Sequence, residues 1–506
     1  MRLAHGACYP RPMPGEENRS HRRLIVLGLL MEAGYLTLGL PATPLGLRVT
    51  IQCLLFLPYA WALREGCRRP LGNREGAALL GLAVLFRLTL VFLPPFYSDD
   101  LYRYLWDGRV QVAGGLNPYR FAPDDPTLAP LAGDLRARVN HPDLPTLYPP
   151  VAQGFFAAVA GLGGSVALLK ACLVAFDLAL LLLLRVMLRR AGLSEGRMLI
   201  YAWCPLVIAE VAGNGHVDAL AIFFLLLGIH LIIMARATLS TVSLGLSAGA
   251  KFLPVLVFPV LATRVRRRFW AIPFVVLGLA YLPYLGAGRA LFSGLRQYAE
   301  RWQHNDSLFR ILLGLLEWLQ PTPWLKSGIA WLQERCGFPP WIDLLYRYAY
   351  PVYLARITVV VGLAVLALRL AQKRVAPIRG AFLLLGSGLL LSPTVHPWYA
   401  LWLVPFLVFI PSRAWILFTG LVSLSYLDPG PVGGSADGHE WVRWIEYLPF
   451  LSLLAVDYLR ARRGKPATLY RLPAFGGAEA APPGTARAEH SSTLDAASMR
   501  AKDRSK

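Results

Sequence analysis

Two adjacent carboxylates, Asp99 and Asp100, stand in the segment YSDDLYRYLWD at residues 97–107, shortly after a long apolar block. On a helix, Asp99, Arg103 and Asp107 would share one face, because they are four residues apart. Adjacent carboxylates raise each other's pKa and a nearby arginine lowers it, so one carboxylate can become a general base near working pH. The alternative is a salt-bridged helix beside the membrane that has no catalytic role.

Two further motifs could bind an anion. Lys251, in the stretch GAKFLP, lies between two apolar segments that are too short to cross a membrane upright, and lysines inside membranes are functional by default. His396 begins the motif HPWY, which ends at Tyr399, and it could donate to an anionic group. The alternatives are a lysine whose ammonium reaches the interface and a histidine in an interfacial aromatic belt.

Three other polar residues follow or precede apolar blocks. His216 lies in NGHVD at residues 214–218, where the alternative is a tight turn with local hydrogen bonds. Arg301 and His304 belong to a basic run at residues 296–310, where the alternative is a solvated loop. The predicted substrate-binding residues are therefore Arg103, Asp107, His216, Lys251, Arg301, His304, His396 and Tyr399, with Asp99 and Asp100 as the catalytic pair.

These residues suit transfer from a lipid-linked phosphate. A phosphate is a good leaving group that needs cations to stabilise its developing charge, and the acceptor hydroxyl needs a base. One carboxylate and several cations suffice for both tasks. The six cysteines show no metal-ligand spacing, so we predict neither a metal nor a cofactor.

The elements that position these residues must be membrane helices. The 506 residues are 56% hydrophobic and 16% charged, and the apolar residues fall in blocks such as 166–187 and 217–234. A span needs about 20 apolar residues, and the blocks lack the period-two alternation of a membrane β-barrel. The composition excludes a soluble enzyme and predicts an all-α polytopic protein with about 12–14 transmembrane helices.

The net charge of +21 indicates topology rather than nucleic-acid binding, because the arginines cluster in short loops between apolar blocks. Such loops stay cytoplasmic, and their charge favours contact with anionic lipids. The polar segments 94–165 and 286–340 then lie outside, and the second contains an amphipathic helix near residues 308–319. We predict a cytoplasmic N-terminal segment at 1–23, a transmembrane domain at 24–459, and a disordered cytoplasmic tail at 460–506.

The motifs resemble those of the glycosyltransferase-C superfamily. An acidic pair followed two residues later by tyrosine, here Asp99-Asp100-Leu101-Tyr102, is the hallmark of its large first external loop, and Tyr148-Pro149-Pro150 resembles the element that ends this loop. AGAKFLPVL, GNGHVDALA and HPWY are similar to glycosyltransferase family 87, the polyprenol-phosphate-mannose-dependent mannosyltransferases. The resemblance implies a metal-independent, inverting enzyme, with Asp99 as the base by its position in the pair.

The predicted function is transfer of a hexosyl residue, with mannosyl expected, from a polyprenyl-phosphate sugar to a lipid or glycan hydroxyl. The activity would be that of a hexosyltransferase (EC 2.4.1.-) of the cell inner (plasma) membrane, acting on the extracytoplasmic face in cell-envelope assembly. Its partners would be the donor, the acceptor and membrane lipids. The alternatives are a secondary transporter or lipid-carrier flippase, which would place polar residues at the bilayer midplane, and a non-catalytic scaffold.

Overall fold

The computed structural model describes residues 14–67, 71–337, 340–428 and 440–463. The start of the predicted N-terminal segment and nearly all of the predicted tail lie outside these residues. Throughout the described part, the chain is helical and contains no strand, apart from an isolated parallel bridge between His304 and Thr394. The predicted all-α class is confirmed.

The first half of the chain contains eleven described α-helices: α1 (Pro14–Leu38), α2 (Leu45–Gly66), α3 (Asn73–Val91), α4 (Asp100–Val112), α5 (Asp134–Ala137), α6 (Pro150–Gly161), α7 (Val166–Arg190), α8 (Leu199–Ala202), α9 (Pro205–Val207), α10 (Asp218–Ile233) and α11 (Ala237–Ala250). The described residues that follow form α12 (Phe258–Ala262), α13 (Ile272–Tyr281), α14 (Ser293–Arg301), α15 (Leu308–Leu319), α16 (Thr322–Cys336), α17 (Pro351–Gln372), α18 (Pro377–Leu391), α19 (Val404–Leu407), α20 (Arg413–Leu421) and α21 (Glu440–Arg462).

Tighter or wider helical segments connect several of these helices. Segments of 3₁₀ helix lie at Pro126–Leu131, Glu195–Met198, Leu253–Val257, Arg267–Phe269, Leu282–Phe292, Pro340–Ala349, Pro397–Trp402 and Val422–Leu427, and a π-helical segment lies at Ile208–Gly213. The predicted amphipathic helix coincides with α15.

In the described ranges, four helical runs are long and apolar enough to cross a membrane: Leu45–Gly66, Val166–Arg190, Arg267–Arg301 and Pro351–Gln372. A fifth results if Glu195–Ala202 and Pro205–Gly213, which are bent by 48°, form one span. Six further apolar helices in the described residues are shorter, with 10–17 residues each. The protein is thus a multi-pass membrane protein, whereas the count of 12–14 spans stays a prediction that requires the shorter helices to cross as well.

Helical structure is interrupted at two points where the sequence contains proline. The block at 199–212 is divided by Pro205, whose ring cannot accept the regular helix geometry. After α11, the chain becomes extended at Lys251 and resumes as a 3₁₀ segment that contains Pro254. The predicted break at Lys251 is confirmed.

The loop that follows α3 begins at a fixed point. Lys170 of α7 is fully buried and donates to the carbonyl oxygens of Leu90 and Leu93, at 2.5 and 2.7 Å. A cation at this position stabilises the carbonyl end of α3. The chain then turns into α4, which packs on α6 through stacked rings of Tyr104 and Phe156, 4.7 Å apart.

Close contact between α4 and α6 depends on a glycine. A Cβ atom on Gly108 would lie 2.3 Å from the carbonyl oxygen of Phe156, so no larger residue fits without moving the backbone. The helix α4 is therefore held directly against the first helix that follows the loop, and the acidic pair at its start is placed with it.

Candidate active site

A cavity of about 1030 Å³ lies at the start of α4. Seven separate stretches of the chain line it: residues 97–103, the loop at 140–149, Asp218, the break at Lys251, residues 295–304, residues 385–402 and residues 425–428. Eight of the predicted residues line this cavity, namely Asp99, Asp100, Arg103, Lys251, Arg301, His304, His396 and Tyr399. The structure therefore brings together residues that are up to 300 positions apart in the sequence.

The two carboxylates differ in their surroundings. Asp99 directly precedes α4 and is exposed to the cavity, whereas Asp100 is half-buried as the first residue of the helix. The side-chain amide of Asn140 donates to both, at 2.7 Å to Asp99 and 2.9 Å to Asp100. Asp100 also accepts a hydrogen bond of 3.5 Å from the hydroxyl of Tyr148. Asp100 is thus held from two sides, and Asp99 from one.

The pKa of Asp99 is raised above its ordinary value. Loss of contact with water in the cavity is the larger cause, and the negative charge of Asp100 adds to it. The hydrogen bond from Asn140 opposes the rise because it stabilises the charged form. A raised pKa makes a carboxylate a stronger base, which suits proton removal from a hydroxyl.

The expected pairing of Asp99 with Arg103 is wrong. Arg103 is buried and donates to Asp107 at 2.9 Å and to the carbonyl oxygen of Leu144 at 2.8 Å. The second oxygen of Asp107 accepts from Gln153 at 2.8 Å. Asp99 lies outside the helix, so it does not continue the face on which Arg103 and Asp107 meet. Asp107 is buried behind the cavity wall and connects α4 to α6.

Lys251 forms an ion pair at the cavity wall. Its ammonium lies 2.8 Å from a carboxylate oxygen of Asp218, which is fully buried at the start of α10. The other oxygen of Asp218 accepts from the indole of Trp402 at 2.7 Å. The ammonium also lies 5.6 Å from the centre of the Tyr399 ring. Lys251 therefore presents a cation at the cavity from a fixed position.

Four aromatic rings form a stacked column that begins at the cavity wall. His304 stacks on His396 at 4.9 Å, His396 on Trp398 at 4.4 Å, and Trp398 on His216 at 4.1 Å between ring centres. His304 and His396 line the cavity, whereas His216 is fully buried behind Trp398. The prediction that His216 binds substrate directly is therefore not supported by its position.

Burial lowers the pKa of both cavity histidines. Desolvation is the main cause for both, and for His396 the nearby ammonium of Lys251 lowers the pKa further. Both imidazoles are therefore neutral at neutral pH. They can donate hydrogen bonds to an anion without contributing a full positive charge.

The last two predicted residues of the cavity are Arg301, at its rim, and Tyr399, in its wall. Arg301 is more than half exposed, and its guanidinium lies 3.6 Å from the carboxylate of Asp143. The hydroxyl of Tyr399 forms a hydrogen bond of 2.5 Å with that of Tyr298. Arg301 provides an exposed cation at the entrance, whereas Tyr399 belongs to the cavity wall near Lys251.

Sequence reasoning missed Asn140 and Asp218, the two partners that hold the acidic pair and the lysine. Asp218 stood in the NGHVD motif, but nothing in its spacing indicated a contact with Lys251, which is 33 residues later. Asn140 had no signal in a loop of mixed composition. Within the described residues, no group of three His, Cys, Asp or Glu side chains is arranged to hold a metal ion.

Two protein families and a relative match large parts of the chain. Residues 21–267 match the family described as alpha-(1->6)-mannopyranosyltransferase, N-terminal domain, and residues 146–393 match glycosyltransferase family 87. A protein of Mycolicibacterium smegmatis (strain ATCC 700084 / mc(2)155), described as "Probable alpha-(1->6)-mannopyranosyltransferase", is 23% identical over 462 residues, which cover 81% of this chain and 78% of the relative. No solved structure matches the chain.

The two matched regions overlap. Together they include the acidic pair, Lys251 and the NGHVD motif. They favour an enzyme over a transporter, a flippase or a scaffold. The chain is similar to glycosyltransferase family 87 over residues 146–393, just under half of its length, and is a multi-pass membrane mannosyltransferase.

Proposed function

We propose that this enzyme transfers mannose from polyprenyl-phosphate mannose to a hydroxyl of a lipid or glycan acceptor, with inversion, on the extracytoplasmic face. The observation that carries the proposal is the shared cavity, in which an exposed carboxylate, Asp99, faces the same space as the cation of Lys251 and the imidazole of His396. A base for the acceptor and donors for the phosphate are thus present in one site.

Asp99 is the proposed general base. Its exposure to the cavity and its raised pKa both suit removal of the acceptor proton. The acceptor oxygen forms a bond to the anomeric carbon as the bond from that carbon to the phosphate oxygen breaks. The electron pair of the broken bond stays with the phosphate, and the proton moves to Asp99. Attack from the side opposite the phosphate inverts the anomeric centre.

Lys251 and the two cavity histidines are proposed to bind the donor phosphate. The leaving phosphate gains negative charge in the transition state, so fixed donors aimed at it lower the barrier. Lys251 supplies the full charge, and the neutral imidazoles of His304 and His396 supply hydrogen bonds. Arg301, exposed at the rim, supplies a second cation where substrates enter.

The test is transfer by purified protein in lipid nanodiscs, with synthetic polyprenyl-phosphate mannose and mass spectrometry of the extracted lipids. Asp99→Asn keeps the shape and removes the basicity, so transfer should fall by about 10²–10⁴-fold while donor binding persists. Asp100→Asn should cost less. If Asp100→Asn is inactive and Asp99→Asn is active, the two roles are reversed, and if both stay active, the carboxylate mechanism fails.

Polyprenyl-phosphate glucose and a polyprenyl-phosphate pentose serve as matched donors in the same assay. Mannose should transfer fastest, because the family uses the mannosyl donor. Equal rates with glucose would contradict mannose as the specific donor while leaving the role of Asp99 intact.

The proposed topology places the loop 94–165 and the segment 286–340 outside, within a catalytic domain at 24–459. Thr127 is exposed in the first of these, and a cysteine there should react with a membrane-impermeant reagent in intact cells. Cys336 is itself exposed, so the experiment requires a Cys336→Ser background. Labelling of position 127 only after lysis would overturn the extracytoplasmic site.

A further inference from the structure

Glu210 is a buried acid that lies outside the cavity lining. It belongs to the π-helical segment Ile208–Gly213, in the bent pair of helices, and only 1% of the residue is exposed. Single π-helical turns are uncommon and occur often at functional sites. A buried carboxylate is costly unless other groups stabilise it, so its partners indicate what it does.

Three side chains surround the Glu210 carboxylate. The hydroxyl of Tyr426 lies 2.9 and 3.0 Å from its two oxygens, and the amide of Asn214 donates to it at 2.9 Å. The Nε2 atom of His216 lies 3.2 Å from the same oxygen as the amide. These three partners come from two separate parts of the chain. Each of them also contacts the acidic pair or the residues just before it.

The first route to the acidic pair passes through Asn214. The side-chain Oδ1 atom of Asn214 accepts hydrogen bonds from the backbone N–H groups of Phe96 and Tyr97, at 3.2 and 3.0 Å. The ring of Tyr97 also stacks on Tyr426, with ring centres 4.4 Å apart. Phe96 and Tyr97 lie just before Ser98 and the two aspartates, so the backbone that enters the catalytic loop is fixed through partners of Glu210.

The second route passes through His216. Its Nδ1 atom lies 4.0 Å from a carboxylate oxygen of Asp100, while its Nε2 atom faces Glu210. The imidazole is fully buried and its face is covered by Trp398 at 4.1 Å, so the ring cannot turn freely. The imidazole therefore lies between the carboxylates of Glu210 and Asp100 and is close to both.

We propose that Glu210 is a positioning residue, which holds Asn214 and His216 and thereby fixes the acidic pair against the acceptor. The inference rests on the proposed role of Asp99 as the base. Glu210 touches neither the cavity nor a substrate, and its effect must pass through geometry. A displacement of about 1 Å at a reacting group can cost 10²-fold in rate, so the effect on catalysis is large.

The experiment compares three variants in nanodiscs. Glu210→Ala removes all three contacts and should lower kcat on the order of 10²-fold, with the apparent donor KM within about twofold of wild type because Lys251 and His396 are untouched. Glu210→Gln keeps an acceptor for Tyr426 and Asn214 and should retain a larger part of kcat. Asn214→Ala removes the first route alone and should lower kcat in the same way.

Glu32→Gln is the matched control. Glu32 is another buried acid, hydrogen-bonded to Thr89 and outside the cavity lining. Its substitution tests the general effect of neutralising a carboxylate inside the protein, and kcat should stay at the wild-type level. Melting temperature and gel filtration are measured for every variant, and if Glu210→Ala does not fold, Glu210→Gln and Asn214→Ala decide the matter.

Several outcomes would overturn the inference. Wild-type kcat in Glu210→Ala, or in both Glu210→Gln and Asn214→Ala, would show that the acidic pair needs no such support. A rise in donor KM without a fall in kcat would assign Glu210 to donor binding. Combined Glu210→Gln and Asn214→Ala should cost less than the product of their separate losses, since both act on one route. An enzyme that stays active in both Asp99→Asn and Asp100→Asn would instead overturn the proposed function.

Discussion

Two buried ion pairs of this protein differ in one respect, which is access to the cavity. Arg87 of α3 and Asp177 of α7 form a hydrogen-bonded ion pair in which both side chains are fully enclosed. Lys251 and Asp218 form the other, with 20% of the lysine side chain exposed and none of the aspartate. Both pairs lie among apolar helices, where a charge is expensive without a partner.

The enclosed pair is held by further hydrogen bonds from its own surroundings. Arg87 donates to the carbonyl oxygens of Ala83 and Ala202, at 2.9 and 2.8 Å, and Asp177 accepts from Tyr201 at 2.5 Å. These contacts join α3, α7 and α8. At the open pair, Asp218 is saturated by Lys251 and Trp402, but the ammonium of Lys251 still faces the cavity.

This difference distinguishes ionic residues that stabilise the membrane helices from those that can bind a substrate. A pair that is fully enclosed by the protein connects helices. A pair that keeps one ionic group at a cavity can still bind a charged substrate. Sequence alone shows the charges, whereas only the tertiary contacts show which of them remain available.

The largest expected effect is on the enclosed pair. Arg87→Met should lower the free energy of unfolding by about 3–5 kcal/mol, because it leaves Asp177 as a buried, unpaired charge. Thermal unfolding of the purified protein measures the loss. The Arg87→Met/Asp177→Leu variant, which removes both charges, should recover most of it. A stable Arg87→Met protein with a weakened donor affinity would reverse the comparison.

At the open pair, we expect loss of affinity to be separable from loss of stability. Lys251→Met removes a charged contact to the donor phosphate, worth about 1.5–3 kcal/mol, so the apparent donor KM should rise by roughly 10–150-fold. This variant should also lose stability, because Asp218 is left without its ionic partner. Lys251→Met/Asp218→Asn should therefore regain stability without regaining affinity. Unchanged donor affinity in both variants would make Lys251 a structural residue.

His396→Ala extends the comparison to an uncharged group at the same cavity. It should lower the transfer rate at least tenfold, equivalent to about 1.4 kcal/mol, because a hydrogen-bond donor to the phosphate is lost. Ring stacking with Trp398 suggests His396→Phe as a control that keeps an aromatic ring and removes the donor. If His396→Phe turns over normally, His396 serves packing alone.

The smallest effect concerns the pH dependence of transfer. A base is inactive when protonated, so the acid limb of kcat/KM should lie at a higher pH than an ordinary aspartate would give, because the pKa of Asp99 is raised. Asn140→Ala removes a hydrogen bond that opposes this rise, and the limb should move further upward. A limb that moves downward in Asn140→Ala would contradict Asp99 as the titrating base.

The sequence predicted the elements of the site better than their contacts. The apolar blocks and arginine loops gave most helices to within a few residues, and α15 coincides with its prediction. Prolines such as Pro205 broke helices that hydrophobicity alone made continuous. The Asp99–Arg103 pair failed because Asp99 precedes the helix, which the spacing rule cannot detect near a helix end.

The contacts that complete the site could not be read from the sequence. Lys251 and Asp218 meet because α10 and α11 run side by side, and the four-ring column combines residues from three distant segments. Local periodicity contains no information about such pairings. Recognition of the acidic-pair motif supplied the chemistry, and the tertiary structure supplied Asn140 and the other partners.

The bridge between His304 and Thr394 has a consequence for the order in which the enzyme matures. The backbone of His304 bonds to Pro393 and Val395 at 3.0 and 2.8 Å, and this contact sets His304 beside His396. During synthesis, the carboxylates and Lys251 are made long before this wall exists. A nascent chain that ends short of residue 394 thus contains Asp99, Lys251 and His304 but lacks His396 and the bridge that orients His304. Under the proposed mechanism, transfer begins only after this part of the chain has been made.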